Sequence, residues 1–411
     1  MKDWLPALSD FYPPFRSGVV EFPVHHMRGG TSTGLVIWER FAPEDRLARE
    51  ELLRHLMGVP LTGHSSTNRQ ITGLGRGVAT SNKVFFADVE HVNNAFQLTS
   101  TLAQLASTHG EIDWSVNCGN MSSSLQLWAL DTGLVGAGTI PDNPEIVIRN
   151  SNTGIMTTSR MMRQANGQFI CSQIPGVEGT FPRVDLFLHD PVGAKTGQLL
   201  PTGAVMDDIA GYPVSCVDVA VPMVIVDATE LGKTAHESIH DLEEDSHFIR
   251  VLRQLWVEAG LRMQLKHRNG KPISADELAR SETIPKVCII GAPRAGGNLA
   301  VRYFTPQTGH ASMAVSGGCC LAAAALIPGT VAHRVAHGLA HLTTEFSDIE
   351  VGIENPAGIL NTIIVARRDE NEICIRHAAY RRNTQILLRG YVPLYRISKA
   401  LDSALSRIIA R

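Results

Sequence analysis

The spacing of apolar and polar residues changes period several times along the chain. Around residues 45–56, Leu47, Leu52, Leu53 and Leu56 fall near helical spacing and predict an amphipathic helix. Helices are also expected at 98–109, 120–130, 236–241, 248–262 and 320–326, and one more within 392–411. The run Leu321-Ala322-Ala323-Ala324-Ala325-Leu326 is rich in the best helix former, and Pro328-Gly329 stops it. Apolar runs predict strands at 19–22, 35–38, 83–87, 114–116, 214–222, 350–353, 359–366 and 373–379. Between 145 and 188 short strands are separated by Asn152, Gly154, Asn166-Gly167 and Pro175-Gly176. Alternate glycines make Gly73-Leu74-Gly75-Arg76-Gly77 a loop, and residues 1–18 read as a loosely structured arm.

Two stretches about 200 residues apart follow the same order. In the first, Lys83 opens an apolar strand, Asn117-Cys118-Gly119-Asn120 turns into a small-residue helix, and Asn152-Thr153-Gly154 turns between strands. In the second these parts are Lys286, Ser316-Gly317-Gly318 and Asn355-Pro356-Ala357-Gly358. Matching the two glycine-containing turns puts Ser316 opposite Cys118, so only the first copy carries a thiol there. Two similar halves facing each other make a cleft in which Lys83 and Cys118 could act as a proton acceptor and donor.

A chain of 411 residues exceeds one ordinary core and suits two domains. The boundary is expected near 206, giving domains 1–206 and 207–411. A formal net charge of −3 with scattered basic residues offers no field for nucleic acid. No apolar run approaches the roughly 20 residues of a membrane helix, and no secretory signal opens the chain. Seven cysteines without CxxC spacing predict reduced thiols in a cytoplasmic protein.

Cys118 stands at an expected helix start, where free N–H groups favour a thiolate and usable acid–base chemistry; the alternative is a small buried cysteine. Lys83 needs solvent or a partner, and in a closed cleft such a lysine can serve as a neutral base; the alternative is an ordinary strand-end lysine. Helix starts at Gly119-Asn120 and Gly317-Gly318 suit carboxylates, and Arg28 and Arg302 could add forked contacts. With Thr31, Ser32, Ser81, Asn117 and Ser316 these complete the expected substrate-binding set. His333, His337 and His341 recur every four residues and would stack on one helical face, but without an adjacent carboxylate they read as a solvated face, and no metal is expected. Neither Gly73–Gly77 nor Leu231-Gly232-Lys233-Thr234 completes a nucleotide-binding pattern.

These residues together resemble the PrpF family, relatives of diaminopimelate epimerase. The resemblance runs through Met27-Arg28-Gly29-Gly30-Thr31-Ser32, Asn117-Cys118-Gly119-Asn120, Leu199-Leu200-Pro201-Thr202-Gly203, Val217-Asp218-Val219 with Pro222, Ile327-Pro328-Gly329-Thr330, and Arg382-Asn383-Thr384 with Gly390. It implies a mixed α/β (α+β) fold of two similar epimerase-like domains. Each would be a mostly antiparallel sheet wrapped round a central helix, with the active site in the cleft between them. It further implies a cofactor-free isomerase of a small unsaturated polycarboxylate (aconitate, methylaconitate, oxalomesaconate or methylitaconate) with Lys83 and Cys118 as its catalytic residues. A homodimer is left open, as are two other readings: a racemase or epimerase using Cys319 or Cys320, and an accessory protein of an aconitase-type enzyme.

Overall fold

The computed structural model describes residues 15–16, 18–92, 95–135, 144–267, 269–370 and 372–409; the expected arm at 1–18 falls largely outside them. Two compact units make up the chain. The first comprises Met1–Gln173, Val177–Leu186 and Arg382–Arg411, the second Ile174–Gly176 and Phe187–Arg381. This differs from the expected boundary at 206 for two physical reasons. Val192 bridges Val219 and Phe187 packs with Ile363 and Ala379, which ties 187–206 to the second unit. At the other end, Thr384–Pro393 forms a ladder with Glu21–Gly29, which returns the end of the chain to the first unit.

Both units repeat one strand order. In the first, Val19–Gly29 and Ser32–Trp38 form a hairpin, and Ser32–Trp38 runs parallel to Lys83–Val92. Lys83–Val92 is antiparallel to Ala95–Ala106, which is parallel to Glu145–Asn150, itself antiparallel to Met156–Met161. In the second, the hairpin Tyr212–Val219 and Val221–Asp227 leads in the same sense through Lys286–Gly291, Leu299–Thr305, Ser347–Asn355 and Gly358–Asp369. Each parallel pair needs a crossover, and these carry the helices. The first crossovers hold Arg46–Met57 in one unit and Ser246–Arg262 in the other. Their buried faces build cores such as Leu52, Leu53, Leu56, Val84 and Phe86, or Leu252, Leu255, Val287 and Ile289.

Local chemistry sets the helix ends. Asp45 caps Arg46–Met57 by accepting from the Ala48 N–H, and Gly58 ends it at φ +67. The second crossovers carry Gly119–Ser122 with Leu125–Asp131, and Val315–Leu326. The helix expected at 120–130 is thus interrupted, because the Ser123 and Ser124 hydroxyls donate to Asn120 O and Met121 O and compete with the helical ladder. Val315–Leu326 is continuous and buried from Gly317 to Leu326. There a Cβ at Gly317 would meet the Tyr303 ring at 2.5 Å, and one at Gly318 would meet Leu360 at 2.4 Å.

Several expectations change. Residues 98–109 are mostly the strand Ala95–Ala106: buried Leu98, Ser100 and Leu102 alternate with Gln97, Thr99 and Thr101 at period two. Residues 114–116 follow the strand His109–Asp113 rather than forming one. The helix expected at 236–241 begins at Ile239, where Ser238 caps it. The helix carrying His333 ends at Val335, so His333, His337 and His341 do not share a helical face. Among the described residues no helix is long and apolar enough to cross a membrane.

Candidate active site

Strand register decides which side chains of the first unit meet. Gly29 pairs with Ser32, Met27 with Gly34, and Gly34 with Lys83, so these five residues share one face. Gly29 places that face: a Cβ there would lie 2.5 Å from Asn120 O, where the broken helix packs. Val84 and Phe86 face the other way, into the core under Arg46–Met57. Lys83 therefore emerges on the side of the Cys118 turn.

Cys118 is the N-cap of Gly119–Ser122 and is half-buried. Its Sγ accepts from the Met121 N–H at 3.5 Å and lies 3.8 Å from Ser32 Oγ. Asn117 Oδ1 accepts from the Cys118 N–H at 2.7 Å, which fixes the turn. Asn120 Nδ2 donates to Thr31 Oγ1 at 3.2 Å, while Asn120 Oδ1 accepts from Arg382 Nε at 2.7 Å. Ser32 touches Cys118, and Gly34, two positions along the same strand, pairs with Lys83. Successive same-face positions are about 6–7 Å apart. Gly34 has no side chain to stand between them, and a Cβ there would lie 2.3 Å from Lys83 O.

The Lys83 side chain is buried, and its Nζ donates to Ala79 O at 2.9 Å and to Gln104 Oε1 at 2.5 Å. Both partners are neutral. Ser81 ends the Ala79–Ser81 turn just before it, half-exposed. Sequence reasoning missed Gln104 and Arg382. A glutamine within a strand carries no signature, and Arg382 lies 262 residues from Asn120 in the chain.

Arg28 does not join this group. Arg28 leaves the opposite face of the hairpin from Gly29 and Met27, paired with Thr33 and Gln385. It is 9% exposed; Nη1 donates to Gly30 O and Asn383 Oδ1, Nε to Gln385 Oε1, and the guanidinium stacks on Phe181. Burial lowers its pKa from the ordinary arginine value. In the second unit Arg302 pairs with Ile289, a residue of the core under Ser246–Arg262. It donates to Glu237 O and Val301 O, and burial lowers its pKa too.

The second unit's helix starts two residues earlier than the turn motif predicts, at Val315 with Ala314 as N-cap. Ala314 therefore occupies the position of Cys118, and Ser316 lies inside the first turn. Gly317 and Gly318 serve close packing, and the Gly318 N–H already donates to Ala314 O at 2.9 Å. Cys319 and Cys320 are fully buried. Cys320 donates to Val217 O, and burial pushes its pKa well up.

The 4-oxalomesaconate tautomerase of Pseudomonas putida is 31% identical over 345 residues, covering 83% of this chain and 88% of that one. The 3-methylitaconate isomerase of Eubacterium barkeri is 25% identical over 397 residues, covering 92% and 98%. The crystal structure of a methylitaconate-Δ-isomerase superposes with a TM-score of 0.76 at 24% identity, over 95% of this chain and 98% of that chain, and shares its fold. Residues 19–395 match the PrpF protein family. The chain belongs to the PrpF family of isomerases.

Proposed function

We propose that this chain catalyses, without a cofactor, an allylic 1,3-proton shift or cis–trans isomerisation of a small unsaturated di- or tricarboxylate. The observation that carries this reading is the shared face of the Ser32–Trp38 strand. It meets Cys118 through Ser32 and pairs with Lys83 through Gly34, and Asn120 of the Cys118 turn donates to Thr31, next to Ser32. Relatives named for 4-oxalomesaconate, 2-methyl-aconitate and 3-methylitaconate supply the substrate class.

In this mechanism Lys83, as the neutral amine, takes a proton from the saturated carbon next to the double bond. The C–H electron pair moves into the allyl unit, and the negative charge spreads into a carboxylate as a dienolate. In this reading Thr31, Ser32 and Asn120 supply hydrogen-bond donors at that carboxylate, which offset the growing charge. A preorganised donor of this kind contributes roughly 3–4 kcal/mol. The Cys118 thiol then delivers its proton. Delivery to the far carbon moves the double bond; delivery to the original carbon after rotation exchanges cis for trans. Lys83 ends protonated and Cys118 as thiolate, and proton exchange with water resets both.

The test is incubation in D2O with 4-oxalomesaconate, 2-methylaconitate, 3-methylitaconate and cis-aconitate, followed by NMR. Isomerisation with deuterium entering the allyl unit is expected, before and after dialysis against a chelator. Isomerisation of none of the four would end this reading, and activity lost to the chelator and restored by zinc or manganese would end its cofactor-free form.

A further inference from the structure

We propose that Gln104 is the positioning residue of Lys83, holding its amine in place while withholding a charged partner. This rests on the reading of Lys83 as the base. Gln104 stands directly across the ladder from Lys83, on the same face. Its Nε2 lies 3.0 Å from each of three backbone carbonyl oxygens, Ala79 O, Asn82 O and Leu105 O, and shares its two hydrogens among them. An amide turned the other way would set its oxygen against those three oxygens, so the side chain has one orientation. Oε1 is thereby left to accept from Lys83 Nζ. Ala79 O takes part twice, accepting from both Nε2 and Nζ, which couples the turn before Lys83 to the same network.

The residue type matters as much as the geometry. A glutamate of the same length would give the ammonium a permanent counter-charge and favour its protonated form, which cannot act as a base. An apolar residue would leave Nζ with Ala79 O alone and free to swing. Glutamine gives direction without charge. Asp113 pairs with Gln104 across the next ladder and is engaged by Ser115; Arg76 lies in the preceding loop, Cys118 in the turn beyond Ser32, and Asp88, Glu90, His91, His109 and Glu111 stand farther along the same strands.

The experiment compares wild type, Gln104→Glu, Gln104→Met and Lys83→Ala. It measures kcat against pH for whichever of the three relatives' substrates wild type turns over, and follows thermal unfolding of each variant. In Gln104→Glu the acid limb of the profile should move about one pH unit higher, because an adjacent opposite charge favours the ammonium. In Gln104→Met the limb should move the other way, with the plateau lowered about tenfold through lost orientation. A scaffold role predicts no such opposition. Limbs and plateau left unchanged in folded variants, limbs moving together, or loss of folding in both variants would each overturn the proposal. An active Lys83→Ala, or a wild type that turns over none of the substrates, would instead remove the reading beneath it.

Discussion

Lys83 and Lys286 occupy the same place in two copies of one strand order, yet their surroundings differ in kind. Lys83 opens a strand parallel to Ser32–Trp38, and Lys286 opens one parallel to Val221–Asp227. Gln104 faces Lys83, whereas Thr305 stands one step beyond the last ladder pair, Val287–Phe304, beside Lys286. The helix cap carries a thiol in the first unit and only the Ala314 methyl in the second. Among the described residues no side chain or carbonyl accepts from the Lys286 ammonium, and burial lowers its pKa from the ordinary value. The strand order is repeated, but the facing glutamine and the capping thiol stand only in the first copy. A buried lysine is therefore not a base by position alone; it also needs an acceptor that orients it and a proton donor within reach.

The sharpest way to break this comparison is to delete each lysine. Lys83→Ala should lower turnover at least 100-fold with the fold intact, since general-base catalysis contributes about 10²–10⁴-fold. Lys286→Ala should stay within about twofold, as substitutions away from a site usually do. Steady-state kinetics on both variants decides it, and comparable losses would mean the two halves share the chemistry. Next, Cys118→Ser should lose most isomerisation, because a hydroxyl is a weaker acid than a thiol. It should still exchange deuterium at the carbon that Lys83 deprotonates, visible by NMR in D2O; equal loss of both signals would refute the division of labour.

A third contrast concerns pH. His26 pairs with Leu35, and Cys216 pairs with Val224 at the corresponding place in the second unit. Burial, with the Arg76 guanidinium adding to it, lowers the His26 imidazole from 6.5 to about 4, whereas burial pushes the Cys216 thiol up to about 12. The unfolded chain thus binds a proton at His26 that the folded chain refuses. That stability is fully present above pH 6.5 and is lost as the pH falls towards 4. Chemical denaturation of wild type across that window should show the loss, and His26→Gln should flatten it. Cys216→Ala should leave the slope alone. The smallest effect is expected from Ala314→Ser, which gives the second helix the side-chain cap it lacks. About 0.5–2 kcal/mol of added stability without altered kcat would fit, measured by denaturant midpoint.

Much of this was legible in the sequence, and the misses have specific causes. The repeat could be read because a charge at the head of an apolar strand and a small-residue turn both leave local marks. The strand Ala95–Ala106 was misread as a helix because its leucines also fit a helical spacing; the polar threonines between them carried the correct period. Ser316 was matched to Cys118 because the glycines were aligned, but Gly317 and Gly318 exist for packing against Tyr303 and Leu360, and the cap lies two residues before Ser316. Proximity in sequence says nothing about which face of a strand a side chain leaves, so the register of Arg28 with Thr33 and of Arg302 with Ile289 appears only in the folded ladders. Gln104 and Arg382 meet partners, Lys83 and Asn120, that only the folded chain brings to them.

The division of the chain has one more consequence, for synthesis. The second unit ends at Arg381, but the first still needs residues 382–411, including the segment that pairs with Glu21–Gly29. On the ribosome, the edge that carries Arg28 must wait until Thr384–Pro393 has been made before its partner strand exists. The unit that is begun first is the one completed last.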